Sequence, residues 1–172
     1  MDSLHWRWVW LNAVLATAVI NVLANGLIAW LSVLGMDEVP MWSVPLVGGT
    51  STAVDTIGTF FVLPFLTMIF TTLAVQREMR LGAFTPVARA DDRAPLMRKL
   101  PQRLGRRALA FACLMTLTFG LLTLVFVLAF APETMSTSAF ITYKIVLGVA
   151  LGALVTPIVA LGAMADQAEC PS

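Results

Sequence analysis

A lysine lies inside the last long apolar run of the sequence, where a charge is costly. Lys144 is followed by Gly148, Gly152 and Thr156 at intervals of four residues, so these residues share one face of a helix. Small residues at this spacing are typical of helix-packing faces in membrane proteins. We therefore predict that Gly148, Gly152 and Thr156 form a packing face. Lys144 either faces a neighbouring helix, where it needs a partner, or extends outward to the membrane interface beside Tyr143.

Asp55 is the acid best placed to be that partner. It lies in the first turn of an earlier apolar run, where the helix dipole stabilises a negative charge. We predict that Asp55 contacts Lys144. Thr59, Asn21 and Asn25 would complete an intramembrane polar cluster with the two charges. Two interpretations of this polar cluster stay open: hydrogen bonding between helices, or contact with a transported ion or solute.

Residues with catalytic or cofactor-binding chemistry are missing from the sequence. The only histidine is His5, and the only cysteines are Cys113 and Cys170. Zinc, haem and iron–sulfur sites therefore lack ligands, and the HExxH and CxxC motifs are missing. We predict a protein that is not an enzyme, with no catalytic residue, cofactor or metal. Cys113 is predicted to be a small buried apolar side chain.

The elements that must position the polar cluster are membrane-spanning helices. Of the 172 residues, 59% are hydrophobic and only 12% are charged, whereas a soluble domain carries about 25% charged residues. Runs long enough to cross a bilayer lie at about 8–34, 53–75, 108–130 and 139–164. The sequence predicts an all-α integral membrane protein of one domain, 1–172, whose four transmembrane helices form an antiparallel up-down bundle.

The distribution of basic residues predicts the orientation of this bundle. The segment 76–107 holds nine of the 11 Lys and Arg residues of the chain, against three acids. Neither of the other two loops holds a basic residue. By the positive-inside rule, this segment and both termini lie in the cytoplasm. Arg outnumbers Lys, and Ala, Val and Leu are abundant, which suits a GC-rich bacterial genome and hence a bacterial plasma (inner) membrane.

Part of the basic loop 76–107 is predicted to lie on the surface of an anionic membrane. Its apolar residues Met97, Leu100 and Leu104 are spaced for one helical face, and basic residues surround them. Attraction to anionic lipids is worth about 1 kcal/mol per basic residue. Nucleic acid is not expected as a partner, because the loop contains only one aromatic residue. The basic residues concerned are Arg98, Lys99, Arg103, Arg106 and Arg107.

The first loop, 35–52, is acidic but otherwise unusually apolar. It contains Pro40, Pro45 and a Gly-Gly pair, which exclude a continuous helix. It could fold over the bundle as a lid, or lie in the membrane interface anchored by Trp42, and we favour the interfacial loop. Its last residues, Thr50 to Thr52, are natural N-caps for the second span.

Two functions fit these features. A non-catalytic partner or structural subunit of the membrane needs only packing faces and a basic loop, and it is the function we favour. The alternative is a transporter or channel for a small solute, an ion or protons that uses Asp55 and Lys144. Helices packed on small residues leave little lumen, so a transport pathway would need an oligomer. The packing face could equally serve a homodimer or a larger membrane partner.

Overall fold

The structure is a computed structural model that describes residue 7 and residues 9–43, 49–82, 99–130 and 132–166. Within these residues, four helical segments are long and apolar enough to cross a membrane. The prediction of four apolar helices is therefore confirmed by length and composition, as expected of a multi-pass membrane protein.

The second and fourth spans form the centre of the fold. They are the continuous helices Thr52–Arg80 and Thr137–Asp166, which contain Pro64 and Pro157. In each, 44% of the residues in the most apolar 18-residue stretch are buried, against 11% for the first span and 28% for the third. The first span packs on the fourth and the third packs on the second. Among the described residues, the first and second spans share almost no contact with one another.

The two outer spans each contain a π-helical turn. The first span consists of a π-helical turn, Val9–Val14, and an α-helix, Leu15–Ser32. The third span consists of the helices Leu104–Met115 and Leu121–Phe130, joined by the π-helical segment Thr116–Gly120. A π-turn rotates the faces that follow it, so one uninterrupted periodicity does not describe these spans.

The core lies between the second, third and fourth spans, where close packing rather than exclusion of water supplies the stability. Leu100 and Leu104, from the end of the basic segment, pack partly buried against it. The third span buries a stripe at intervals of three and four residues, and Cys113 falls outside that stripe. The core residues are Phe60, Leu63, Met68, Ala108, Phe111, Met115, Leu151, Val155 and Val159.

The prediction for Cys113 was wrong, because its side chain is exposed on the outside of the third span. The stripe that packs on the second span runs through Ala108, Phe111, Ala112 and Met115. Cys113 lies about 100° further round the helix than Ala112, so it points away from that contact.

A small antiparallel sheet joins the first loop to the last one. Strand β1, Glu38–Pro40, pairs with strand β2, Thr134–Ser136, with Glu38 opposite Ser136. The sheet lies where the second and fourth spans begin, and we call this the sheet end of the bundle. The prediction of an all-α fold missed it because strands of three residues carry no readable periodicity.

The described part of the first loop is packed against this sheet. Val39 and Met41 are buried and Trp42 is exposed. The Met41 amide donates to the carbonyl of Glu133 at 2.8 Å, and the Met41 carbonyl accepts from the amide of Ala53 at 3.0 Å. The predicted lid depends on residues 44–48, which lie outside the described residues.

Two of the helices are longer at the opposite end of the bundle than predicted. The second span continues to Arg80, so that Arg77 and Arg80 lie in its last turn, where the helix dipole favours positive charge. The third span begins at Leu104 rather than near residue 108. We call this end, which carries exposed arginines on both helices, the basic end.

Paired cysteines test the register of the sheet. In a chain with Cys113 and Cys170 replaced by serine, Glu38→Cys with Ser136→Cys should form a disulfide. Opposed residues of an antiparallel pair lie about 4.5–5.5 Å apart at Cα, within the range that a disulfide bridges. Glu38→Cys with Thr134→Cys, two residues out of register, is the control and should stay reduced. Thiol alkylation followed by mass spectrometry measures both, and equal oxidation of the two pairs would contradict the register.

Candidate functional site: a polar groove between the first and second spans

The structure brings Asp55, Thr59 and Lys144 into direct contact near the sheet end. The Lys144 ammonium group donates to the Asp55 carboxylate and to the Thr59 hydroxyl, the latter at 2.6 Å. The Thr59 hydroxyl donates in turn to the backbone carbonyl of Asp55 at 2.8 Å. The Lys144 and Asp55 side chains are only 5% and 17% exposed. This contact ties the second span to the fourth.

Helix position explains why these side chains meet. Asp55 lies in the first turn of the second span, with Thr59 one turn further along. Lys144 lies about one turn deeper in the fourth span than Asp55 does in the second. The long, flexible lysine side chain reaches the carboxylate across this difference in depth. Because both charges leave water together, each depends on the other, and removal of one partner from such a pair costs about 3–5 kcal/mol.

A second hydrogen bond lies beside the ion pair and was not predicted. The hydroxyls of Tyr143 and Thr56 lie 2.8 Å apart. Thr56 already donates to the carbonyl of Thr52 at 2.6 Å, so the Tyr143 hydroxyl donates to Thr56. The sequence contained a signal for this bond, because Thr56 directly follows Asp55 and Tyr143 directly precedes Lys144.

The packing face formed by Gly148, Gly152 and Thr156 holds the first span. A Cβ atom on Gly148 would overlap the amide nitrogen of Asn25, and one on Gly152 would overlap that of Asn21. The first and fourth spans are therefore antiparallel where they meet. Glycine permits this close approach because it has no side chain. Thr156 is fully buried, and its hydroxyl has no hydrogen-bond partner among the described residues.

The predicted polar cluster is therefore divided into two groups. Asp55, Thr59 and Lys144 form one group between the second and fourth spans. Asn25 donates to the Asn21 carbonyl oxygen at 3.3 Å and forms the other group with it, on the first span. In the described part of the chain, no hydrogen bond joins the two groups. They face one another across a groove.

This groove lies between the first and second spans and has a volume of about 630 Å³. It is open at the side, because both spans pack on the fourth span and not on each other. Lys144 contributes to its floor. Its rim is formed by exposed apolar side chains, such as Ile20 and Ile28 of the first span and Val62 and Leu66 of the second. The polar residues that line it are Thr17, Asn21, Asn25, Asp55, Thr59, Thr67, Thr71 and Lys144.

One row of the second span lines the groove along its whole length. Asp55, Thr59, Leu63, Thr67 and Thr71 follow one another at intervals of four residues, and all of them border the groove. Thr67 and Thr71 were not predicted to belong to the polar cluster. Their spacing from Thr59 was readable in the sequence, but the apolar Leu63 interrupts the pattern.

A smaller recess of about 350 Å³ lies at the sheet end. Asp55 borders both this recess and the groove, whereas Lys144 borders only the groove. Asp55 therefore lies between the two spaces. The other residues that line the recess are Gly49, Thr50, Ser51 and Val54.

The basic residues predicted to lie on the membrane surface differ from one another. Lys99, Arg103 and Arg106 are exposed at the basic end. Arg107 is only 7% exposed, and its Nε donates to the carbonyl of Pro101 at 2.9 Å. Its guanidinium group binds the backbone that leads into the third span, so Arg107 was wrongly placed on the surface. Arg98 lies outside the described residues.

The remaining chemistry of the described residues is sparse. Within them, no group of three or more His, Cys, Asp or Glu side chains could hold a metal ion. Comparison of the chain with protein-family models, with curated proteins and with solved structures finds no match. The function must therefore be argued from the groove and the ion pair.

A methyl group on the packing face should separate the first and fourth spans. Gly152→Ala would push its Cβ into Asn21 and against Thr17, and we expect a loss of about 1–3 kcal/mol in the free energy of unfolding, as for other overpacked sites. Gly58→Ala is the matched control, because a Cβ there meets nothing within 4 Å. Unfolding in detergent measures both variants. Equal stability of the two would contradict the close approach at Gly152.

A double-mutant cycle measures the coupling of the ion pair. Asp55→Asn and Lys144→Met should each lower the free energy of unfolding by about 3–5 kcal/mol, because each leaves one buried charge without its partner. The double variant should be more stable than either single variant, with a coupling energy of at least about 1 kcal/mol. Additive effects in the same unfolding measurement would show that the two charges do not stabilise each other.

Proposed function

We propose that the chain is a non-catalytic, four-span protein of the bacterial plasma membrane that acts as a partner or structural subunit. The observation that carries this proposal is the buried contact between Asp55 and Lys144. Each charge is neutralised by the other, and with Thr59 they join the second span to the fourth. Charged residues inside membrane helices are rare and are either paired or functional. Here the pairing is internal, which supports a role in holding the fold.

The charges at the two ends of the bundle support an orientation with both termini in the cytoplasm. Arg77, Arg80 and Arg103 are exposed at the basic end, and the acids Asp37 and Glu38 are exposed at the sheet end. By the positive-inside rule, the basic end would face the cytoplasm and bind anionic lipids. The opposite order of contacts along the first and fourth spans fits an antiparallel up-down bundle.

A membrane partner would use the outer surfaces of the first and third spans. In these spans the smallest share of the most apolar 18-residue stretch is buried, 11% and 28%. Leu23 and Leu27 of the first span and Leu117 and Leu121 of the third are among the exposed residues. The packing face is already covered by the first span, so a homodimer would need one of these other surfaces.

Transport remains the alternative, and one observation favours it. The groove is bordered by Asp55 near the sheet end and by Thr71 four turns further along the same helix. A polar row of this length could guide a small solute, an ion or protons across the membrane. The groove is open at the side, so a second copy would have to close it into a pathway.

A flux assay separates the two functions. The purified chain is reconstituted in liposomes, and proton and small-ion movement is followed under an imposed potential. For a structural subunit we expect no flux above that of protein-free liposomes, and lower stability for Lys144→Met. The matched control is Lys99→Met, which changes the only other lysine, an exposed one. Flux in the wild type and in Lys99→Met that is lost in folded Lys144→Met would establish the transport function instead.

A further inference from the structure

The groove has the dimensions of a site for one extended lipid chain. Its volume of about 630 Å³ falls within the 300–1,000 Å³ or so that is usual for small-molecule sites. An extended acyl chain fits a groove of this size that is open at the side.

The part of the groove between Asp55 and Leu66 is about as long as one leaflet of a bilayer is thick. From Asp55 to Leu66 the second span rises about 16 Å, and half of the hydrocarbon core is about 15 Å. Over this length, exposed Val62 and Leu66 face exposed Ile20 and Ile28 across the groove. The opening lets a chain enter from the side. Thr67 and Thr71 lie beyond this length, in the depth of the other leaflet.

The polar end of the groove carries both charges that a zwitterionic head group needs. Asp55 borders the recess at the sheet end as well as the groove, while Lys144 borders only the groove. The Lys144 ammonium also donates to Thr59, one turn deeper than Asp55, so from the sheet end inwards the order is carboxylate, ammonium, apolar walls. A phospholipid head with a terminal ammonium group has the complementary order, since its ammonium is outermost and its phosphate is next to the acyl chains.

We propose that the groove between the first and second spans binds a phospholipid whose head group ends in a primary ammonium. Its ammonium donates to Asp55, its phosphate accepts from Lys144, and one acyl chain lies between the apolar rims. In the complex, Asp55 pairs with the lipid ammonium and Lys144 pairs with the lipid phosphate, so each of the four charges has a partner. An anionic lipid without a cation would leave Asp55 without a partner, and a quaternary ammonium has no N–H to donate to the carboxylate.

Lipid selectivity is the first test. The detergent-solubilised full chain is titrated with phosphatidylethanolamine, phosphatidylcholine or phosphatidylglycerol of identical acyl chains, and bound lipid is counted by native mass spectrometry. We expect one phosphatidylethanolamine molecule to be retained, with about tenfold weaker binding of the other two, because each loses a charge-assisted hydrogen bond. Equal retention of all three lipids would overturn the proposal, since it would indicate non-selective binding at the outer surface.

A steric variant then locates the lipid without touching the charges. Gly58 borders the groove, and a Cβ there meets nothing within 4 Å, so Gly58→Phe should fill the groove and leave the packing intact. Gly105→Phe is the matched control, because Gly105 is equally open but lies on the third span, away from the groove. Binding should be lost in Gly58→Phe and kept in Gly105→Phe, with unchanged unfolding of both. Retained binding in folded Gly58→Phe would place the lipid elsewhere.

Exchange of the two charges tests their order. Asp55→Lys with Lys144→Asp keeps an ion pair between the same two helices but reverses the order of charge along the groove. A folded protein with this exchange should lose its preference for phosphatidylethanolamine, and a preserved preference would overturn the proposed head-group contacts. The proposal does not rest on the structural function, because lipid binding and ion flux are measured separately and either can fail alone.

Discussion

An ammonium group and a carboxylate that leave water together impose a strict requirement on the helices that carry them. Lys144 must face the second span and Asp55 must face the fourth, at depths that the lysine side chain can bridge, or one of the two charges is left unpaired in an apolar environment. The hydroxyl of Thr59 and the bond between Tyr143 and Thr56 add hydrogen bonds beside the ion pair. Rotation and depth of the two central helices are thus set at one point near the sheet end.

The position of the first span follows from a different kind of contact. Glycines further along the face of the fourth span that carries Lys144 let the amides of Asn21 and Asn25 approach its backbone. The fourth span consequently serves as the common support of two helices that do not pack on one another, and the groove is the space left between them. Its polar floor and apolar rim are by-products of two interfaces: the floor carries the residues that hold the helices, and the rim carries those that face lipid.

Much of this arrangement could be predicted from the sequence. Hydropathy predicted the spans, and scarcity of charge made Asp55 the natural partner of Lys144. The spacing of Gly148 and Gly152 predicted a packing face, but spacing alone does not say which helix covers it. The groove could not be predicted, because it arises where two helices fail to touch. Arg107 was misplaced because a charge count does not distinguish a side chain that bonds the backbone from one that faces the membrane surface.

The small sheet has a consequence for how the protein is made. Its strands are separated by about a hundred residues, as the bond from Thr137 to the carbonyl of Asp37 illustrates. Synthesis proceeds from the N-terminus, so the first three spans are synthesised before β2 and Lys144. The first two spans have their principal partner in the last span to emerge. Asp55 is therefore synthesised well before its counter-charge, and the contacts that the first two spans make with the fourth can form only once the last span exists.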